Sequence, residues 1–218
     1  MDAADKYQDA YQTWAMQIAR NVSAEGMVEA VSGYGVEVDT PAIQPVLDAT
    51  LGFGGGSWDY SSWVPDAVLI LIGPNDEIVL SSANASRSEH EVGAGVGNAK
   101  FIKQYLQLLT MVATNYKHAA TPPKIVHICG GSLNGLEPCD DIQTAVKQFN
   151  LLGLGLKSYY TTITTEHWDT INGCKGESGK HCSGKSEYNG CDGHYNVKGH
   201  GVLAADIIPQ FKAVMGWS

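Results

Sequence analysis

The sequence lacks the features that mark membrane and nucleic-acid-binding proteins. No apolar run in its 218 residues approaches the roughly 18 residues of a membrane-spanning helix. Positive charge is scarce, because 14 Lys and Arg stand against 23 Asp and Glu and leave a net charge of −9. No basic stretch is interleaved with aromatic residues. We therefore expect no nucleic-acid partner and no membrane partner.

Close cysteine pairs of the C-x-x-C type are also missing, although the second half of the chain contains five cysteines. Zinc sites typically use such pairs, so no metal ion is expected. No other cofactor is expected either, because the reaction considered below requires none. Cys174, Cys182 and Cys191 lie in a glycine-rich polar stretch, where disulfides that hold long loops are the favoured interpretation and a metal-binding module is the alternative. Disulfides imply an oxidising compartment and hence a secreted, extracellular protein. Residues 1–14, however, have neither the basic region nor the apolar core of a signal peptide.

Hydrophobic periodicity predicts helices and strands that alternate along the chain. Helices are predicted over residues 7–22, 98–118, 139–153 and 196–216, with a short helix or turn within 40–52. Strands are predicted at residues 27–31, 66–72, 124–129 and 156–164. The run from Asp66 to Ile72 is apolar without alternation, which is typical of a parallel strand buried on both faces. The pattern predicts one α/β domain over residues 1–218, with a parallel sheet between layers of helices.

Glycines and polar residues follow the predicted strands. Ligands of an open parallel sheet bind at the carboxyl ends of its strands, so these positions are candidate site residues. Gly33, or its neighbour Gly35, and the side chain of Asn75 can donate hydrogen bonds to a developing oxyanion. Asp192 stands two residues before His194 and can orient that imidazole as a general base. Each also has a structural interpretation: the glycines as turn residues, Asn75 with Asp76 as a helix cap, and His194 as a surface residue.

Three segments, in this order, resemble blocks of the SGNH hydrolases, also called GDSL-type esterases. They are "SGYGV", "VPDAVLILIGPNDE" and "CDGHYNVKGHGVLA". Within that superfamily the chain is most similar to the family 2 carbohydrate esterases, which remove acetyl groups from plant polysaccharides. The resemblance covers almost the whole chain. It implies a three-layer α/β/α fold with a flavodoxin-like parallel sheet.

The resemblance also implies a site that acts by a Ser-His(-Asp) acyl-enzyme mechanism. Gly33 and Asn75 would form the oxyanion hole, His194 would be the base, and Asp192 would hold His194. Asp76 is expected to brace its turn. The substrate would be an acetylated polysaccharide or oligosaccharide. Trp58 and Trp63 precede the strand that leads to Asn75 and can stack on a sugar ring, although packing of their own loop explains them equally well.

The first block of the superfamily, Gly-Asp-Ser, occurs nowhere in the sequence. The serine nucleophile and the central strand that carries it are therefore expected to be missing, and the domain to be incomplete at its N-terminus. Ser32, Ser57 and Ser132 are poor substitutes, because none lies in a strand–turn–helix elbow. The chain alone is then expected to hydrolyse little. Two alternatives remain: a non-catalytic carbohydrate-binding or scaffold protein of the same fold, and another SGNH esterase or lipase.

Overall fold

A computed structural model describes residues 9–36, 41–49, 56–76, 99–130, 138–164, 187–188 and 194–218. The chain divides into two compact units. One comprises Met1–Glu29, Ile128–Leu136 and Thr161–Ser218, and the other comprises Ala30–His127 and Glu137–Tyr160. Among the described residues, no helix combines the length and apolarity needed to cross a bilayer. The expectation of a single domain over residues 1–218 stays a prediction.

The described strands form a parallel three-stranded sheet in the order β1-β2-β3. Strand β1 is Ala67–Ile70, β2 is Lys124–Cys129 and β3 is Ser158–Thr162. Ala67 pairs with Lys124 and Ile70 with His127, so β1 and β2 run in the same direction. On the other side of β2, the backbone N–H of Ile125 donates to the carbonyl of Lys157, and the carbonyl of Cys129 accepts the N–H of Ile163. Residue numbers therefore increase in the same direction along β2 and β3, as they do in parallel strands. The predicted α/β class with a parallel sheet is confirmed.

Helices connect and flank these strands. Helix α1 is Trp14–Asn21, after the 3₁₀ turn Ala10–Gln12, and α2 is Gln44–Leu47. Helix α3 is Ala99–Tyr116, α4 is Cys139–Leu152 and α5 is Val197–Met215. Apolar residues recur every three or four positions on α3, where Phe101, Tyr105 and Leu108 are buried. Helix α4 ends at Gly153, whose positive φ of 64° closes the helix in the left-handed conformation.

Two sequence expectations are settled in this architecture. The short strand predicted at residues 27–31 is wrong, since these residues are irregular and the nearby pairing is an isolated bridge between Gly35 and Ala42. These five residues lie between Gly26 and Gly33, and so short a segment needs a paired neighbour to be stable as a strand. The disulfide expectation is confirmed for Cys129 and Cys139, which are bonded to each other. Cys174, Cys182 and Cys191 lie outside the described residues.

Candidate active site

The residues after β1 form a sharp turn that leads into a short helical segment. Gly73 is buried with φ of +134°, and a Cβ there would lie 3.3 Å from Cγ of Pro138, so only glycine fits both the angle and the space. Pro74 then opens a helical turn over residues 74–76, where its fixed φ and missing N–H are tolerated. The turn presents Asn75 and Asp76 at the carboxyl end of β1.

Asp76 fastens this turn to the glycine segment 33–36. Its two carboxylate oxygens accept the backbone N–H of Val36 at 2.9 and 3.1 Å, and the residue is 0% exposed. A Cβ on Gly35 would lie 2.6 Å from the carboxyl carbon of Asp76, so the carboxylate packs directly on the glycine α-carbon. The expectation that Asp76 braces the turn is confirmed.

Asn75 extends from the same turn to the residue beside Gly33. Its Nδ2 donates to the carbonyl oxygen of Tyr34 at 2.8 Å. That bond uses one of the two amide hydrogens, and the half-buried side chain retains the second. The Tyr34 contact fixes the amide and was not evident from the sequence, since a backbone carbonyl leaves no mark in the residue pattern.

Gly33 and Gly35, the two alternatives for a backbone donor, differ in their surroundings. Gly35 is buried, and its backbone N–H donates to the carbonyl of Pro41 at 3.0 Å. Gly33 is exposed with φ of +79°, and a Cβ there would meet no atom within 4 Å. Within the described part of the chain its N–H has no acceptor. Gly33, and not Gly35, therefore has a backbone donor that a ligand can use.

His194 lies in the short segment before α5 and is exposed. The end of this segment is firmly held by Asn196, whose Oδ1 caps α5 by accepting the N–H groups of Lys198 and Gly199 at 3.0 and 3.1 Å. The backbone N–H of Asn196 donates to the carbonyl of Tyr188 at 2.9 Å. These bonds fix the chain two residues after the imidazole. Asp192 lies outside the described residues, so its predicted contact with His194 stays a prediction.

The aromatic residues before β1 belong to a loop anchored on α2 and α3. Trp58 and Trp63 are half-buried, and the backbone N–H of Trp58 donates to the carbonyl of Asp48 at 3.0 Å. Between them, the Tyr60 hydroxyl donates to the carbonyl of Leu47 at 2.6 Å, and its ring packs edge-on against Tyr116 at 5.2 Å. Burial, and then the nearby Asp48 carboxylate, raises the pKa of Tyr60. Tyr60 is thus the anchor, and the indole rings beside it keep part of their surface exposed.

A second polar cluster lies inside the protein and was not predicted from the sequence. His127 on β2 is 0% exposed; its Nδ1 is 2.8 Å from the Tyr105 hydroxyl and its Nε2 is 2.7 Å from Oγ of Ser158. Burial lowers the pKa of His127 to about 3, so the imidazole is neutral at physiological pH. Ser158 is itself only 5% exposed, so this serine–histidine pair has no access to a substrate. Among the described residues, no group of three His, Cys, Asp or Glu side chains is placed to hold a metal ion.

Two known proteins are similar to this chain. CelE, a cellulase/esterase of Acetivibrio thermocellus, is 26% identical over 221 residues, which cover 97% of this chain and 23% of CelE. The structure of an active-site mutant of a family 2 carbohydrate esterase from Clostridium thermocellum, in complex with cellohexaose, matches with a TM-score of 0.65. Its sequence identity is 24%, over 96% of this chain and 56% of that one. The chain has the fold of a family 2 carbohydrate esterase. No protein-family model matches the sequence.

This likeness confirms the predicted fold class and the predicted resemblance to carbohydrate esterases. This chain spans about a quarter of CelE and just over half of the esterase of known structure. Within it, Asn75 donates to the carbonyl of Tyr34, the residue that follows Gly33 in the chain. Their roles, like that of His194, stay predictions.

Proposed function

We propose that this chain carries the site of a carbohydrate O-acetyl esterase. The observation that supports the proposal most directly is the pair of donors at the end of β1. The Asn75 amide is held on the carbonyl of Tyr34 at 2.8 Å, and the adjoining Gly33 exposes an N–H with no acceptor in the described chain. Donors fixed before the reaction are what an acyl-transfer site needs, because they stabilise an oxyanion without reorganising.

In this mechanism a serine oxygen attacks the acetyl carbonyl carbon while His194 accepts the hydroxyl proton. The carbonyl oxygen becomes an oxyanion, which Gly33 and Asn75 stabilise. The intermediate collapses to an acetyl-serine, and the imidazolium protonates the departing sugar oxygen. Water, deprotonated by His194, then attacks the acetyl-enzyme and releases acetate, returning the proton to the serine. Asp192 would hold the imidazole in the productive orientation.

We propose further that the nucleophile is supplied from outside residues 1–218. Gly-Asp-Ser is missing from the sequence, and the serine–histidine pair of the described chain, Ser158 with His127, is buried. Secretion fits this proposal, because the Cys129–Cys139 disulfide requires an oxidising compartment.

The proposed substrate is an acetylated poly- or oligosaccharide. The related esterase of known structure was solved with cellohexaose, and the half-exposed Trp58 and Trp63 offer aromatic faces on which a sugar ring can stack. An acetyl group is small, so the site needs no apolar cleft for a long acyl chain. The polar, glycine-rich character of residues 52–62 therefore favours this substrate over a lipid ester.

The test begins with the transcript upstream of Met1. If it encodes a strand and Gly-Asp-Ser in frame, the extended protein should release acetate from acetylated xylan. His194→Ala should remove that activity, and Asn75→Ala should lower kcat by about 10²–10³-fold, the usual effect of losing one oxyanion donor. Gln148→Ala, which removes an exposed amide from α4, is the matched control and should leave kcat unchanged. Full activity in Asn75→Ala would contradict the proposed oxyanion hole.

A non-catalytic saccharide-binding protein is the second candidate, favoured by the missing Gly-Asp-Ser. A stop codon just upstream of Met1 would support it. The 218-residue protein should then bind acetylated cello-oligosaccharides in a calorimeter and release no acetate. Trp63→Ala should weaken that binding, whereas His194→Ala should not.

A further inference from the structure

The C-terminal end of α1 is closed by a serine in a position that glycine usually occupies. The backbone N–H of Ser23 donates to the carbonyl of Arg20 at 3.2 Å. The next N–H, from Ala24, donates to the carbonyl of Ala19 at 2.9 Å. These two bonds form a Schellman motif, in which the residue after the helix adopts the left-handed conformation. Ser23 does so with φ of 56°, and no other residue except glycine has a positive φ in the described part of the chain.

Glycine would suit the end of α1 better than serine does. A Cβ crowds the backbone in the left-handed conformation, and glycine has none. Helices α4 and α5 end in the same conformation, at Gly153 with φ of 64° and at Gly216 with φ of 73°. The Ser23 hydroxyl has no hydrogen-bond partner among the described residues, so no side-chain contact offsets this cost. A residue that opposes its local structure is expected where it serves a function.

A sequence requirement explains the serine. Asn21, Val22 and Ser23 form the tripeptide Asn-X-Ser, the acceptor sequence for N-linked glycosylation, in which X is not proline. The third position must be serine or threonine, which excludes the glycine that the helix end prefers. Asn21 and Ser23 are exposed, as are residues 24–27, and neither side chain is engaged in a hydrogen bond within the described structure. The acceptor amide and the hydroxyl are therefore accessible.

We propose that Asn21 is a site of N-linked glycosylation. The donor is an oligosaccharide linked through pyrophosphate to a membrane lipid. The Asn21 Nδ2 forms a bond to C1 of the first sugar and loses one proton, while the bond between C1 and the pyrophosphate oxygen breaks. The reaction takes place where secreted proteins form disulfides, and the Cys129–Cys139 disulfide indicates such a compartment. The glycan is bulky and polar, so an exposed helix end accommodates it without displacing the core.

A second acceptor tripeptide, Asn84-Ala-Ser, lies outside the described residues, so the assay must separate the two. Trypsin leaves them on one fragment, because no lysine or arginine occurs between Arg20 and Arg87. A glutamate-specific protease separates them instead. It releases one peptide that ends at Glu25 and another that spans residues 78–89, and each contains one of the two asparagines.

The first measurement is mass spectrometry of the protein isolated from its source organism. The peptide that ends at Glu25 should carry sugars. Enzymatic deglycosylation in heavy-oxygen water should convert its Asn21 to a labelled aspartate, which identifies the modified residue. Recovery of this peptide with only unmodified Asn21 would overturn the proposal.

Variants test the tripeptide in the 218-residue protein, secreted from eukaryotic cells behind a signal peptide. The parent for this series is Asn84→Gln, which removes the second acceptor. The parent and its Ser23→Thr derivative should both lose mass on endoglycosidase treatment, because threonine also serves as the third residue. Asn21→Gln and Ser23→Ala in the same background should have the same mass with and without the enzyme. A parent protein whose mass the enzyme does not change would overturn the proposal.

Urea unfolding tests whether the serine opposes the fold. In protein without glycan, made in a bacterial periplasm where disulfides form, Ser23→Gly should unfold at a higher urea concentration than the wild type, because glycine accepts the left-handed conformation. Ser23→Ala keeps the Cβ and loses the hydroxyl, so this matched control should unfold at or below the wild-type concentration. A midpoint for Ser23→Gly at or below that of the wild type would overturn the inference, since the fold would then explain the serine. None of these outcomes depends on the proposed esterase activity.

Discussion

His127 should make the protein unfold more easily in mild acid. Burial holds its pKa at about 3 in the folded protein, against an ordinary value of 6.5 once the chain unfolds. Between these two pKa values, the unfolded state therefore binds a proton on this imidazole and the native state does not. The stability from this group is fully present above pH 6.5 and is lost as the pH falls towards 3. Between pH 7.5 and 4.5 the loss amounts to about 2.7 kcal/mol, because one pKa unit corresponds to about 1.4 kcal/mol.

The assay is urea unfolding followed by circular dichroism at pH 7.5 and 4.5. His127→Gln keeps an amide between Tyr105 and Ser158 but does not titrate, so its stability should fall by about 2.7 kcal/mol less than that of the wild type over this range. His118→Gln removes an exposed histidine just after α3 and should behave like the wild type. A loss in His127→Gln within about 0.5 kcal/mol of the wild-type loss would refute the reasoning, because independent contributions add to that precision.

Two further predictions concern the contact between Gly35 and Asp76 and the Cys129–Cys139 disulfide. Gly35→Ala should destabilise the protein by about 1–3 kcal/mol in the urea titration, because its methyl group would collide with the Asp76 carboxylate. The control is Gly201→Ala, at a helix position with room for a methyl group, which should be neutral or stabilising. Removing the Cys129–Cys139 disulfide with Cys139→Ser should lower the unfolding free energy by about 2.8 kcal/mol, the loop entropy of a short crosslink. An unchanged midpoint under oxidising conditions would contradict that estimate.

The sequence predicted long, periodic elements better than short ones. Helix α3 was expected over residues 98–118 and runs from Ala99 to Tyr116, because its apolar face repeats over several turns. Strand β2 was expected at residues 124–129 and is found there, as an uninterrupted apolar run between turn residues. The strand expected at residues 27–31 does not form, since so short a pattern depends on neighbours that periodicity does not reveal.

The candidate site was predictable as a set of residue types at strand ends, but not as a set of bonds. Spacing reveals neither which of Gly33 and Gly35 uses its N–H in a hydrogen bond nor that the Tyr34 carbonyl holds Asn75, because both depend on backbone groups that are the same in every residue. His127 was missed for a different reason. A single histidine within an apolar strand gives no sign of its partners, and these come from Tyr105 and Ser158, which are distant in sequence.

The difference in burial between Asn75 and Asp76 has an evolutionary consequence. Asp76 is fully buried and holds the fold together, whereas Asn75 meets solvent and makes a single described contact. On the proposed function, selection on folding acts on Asp76 and selection on chemistry acts on Asn75. A lineage that lost Asn75 would keep the carboxylate, the glycine it packs against and the shape of the turn. On the proposed function, such a substitution would weaken the chemistry and leave in place the contacts that hold the turn.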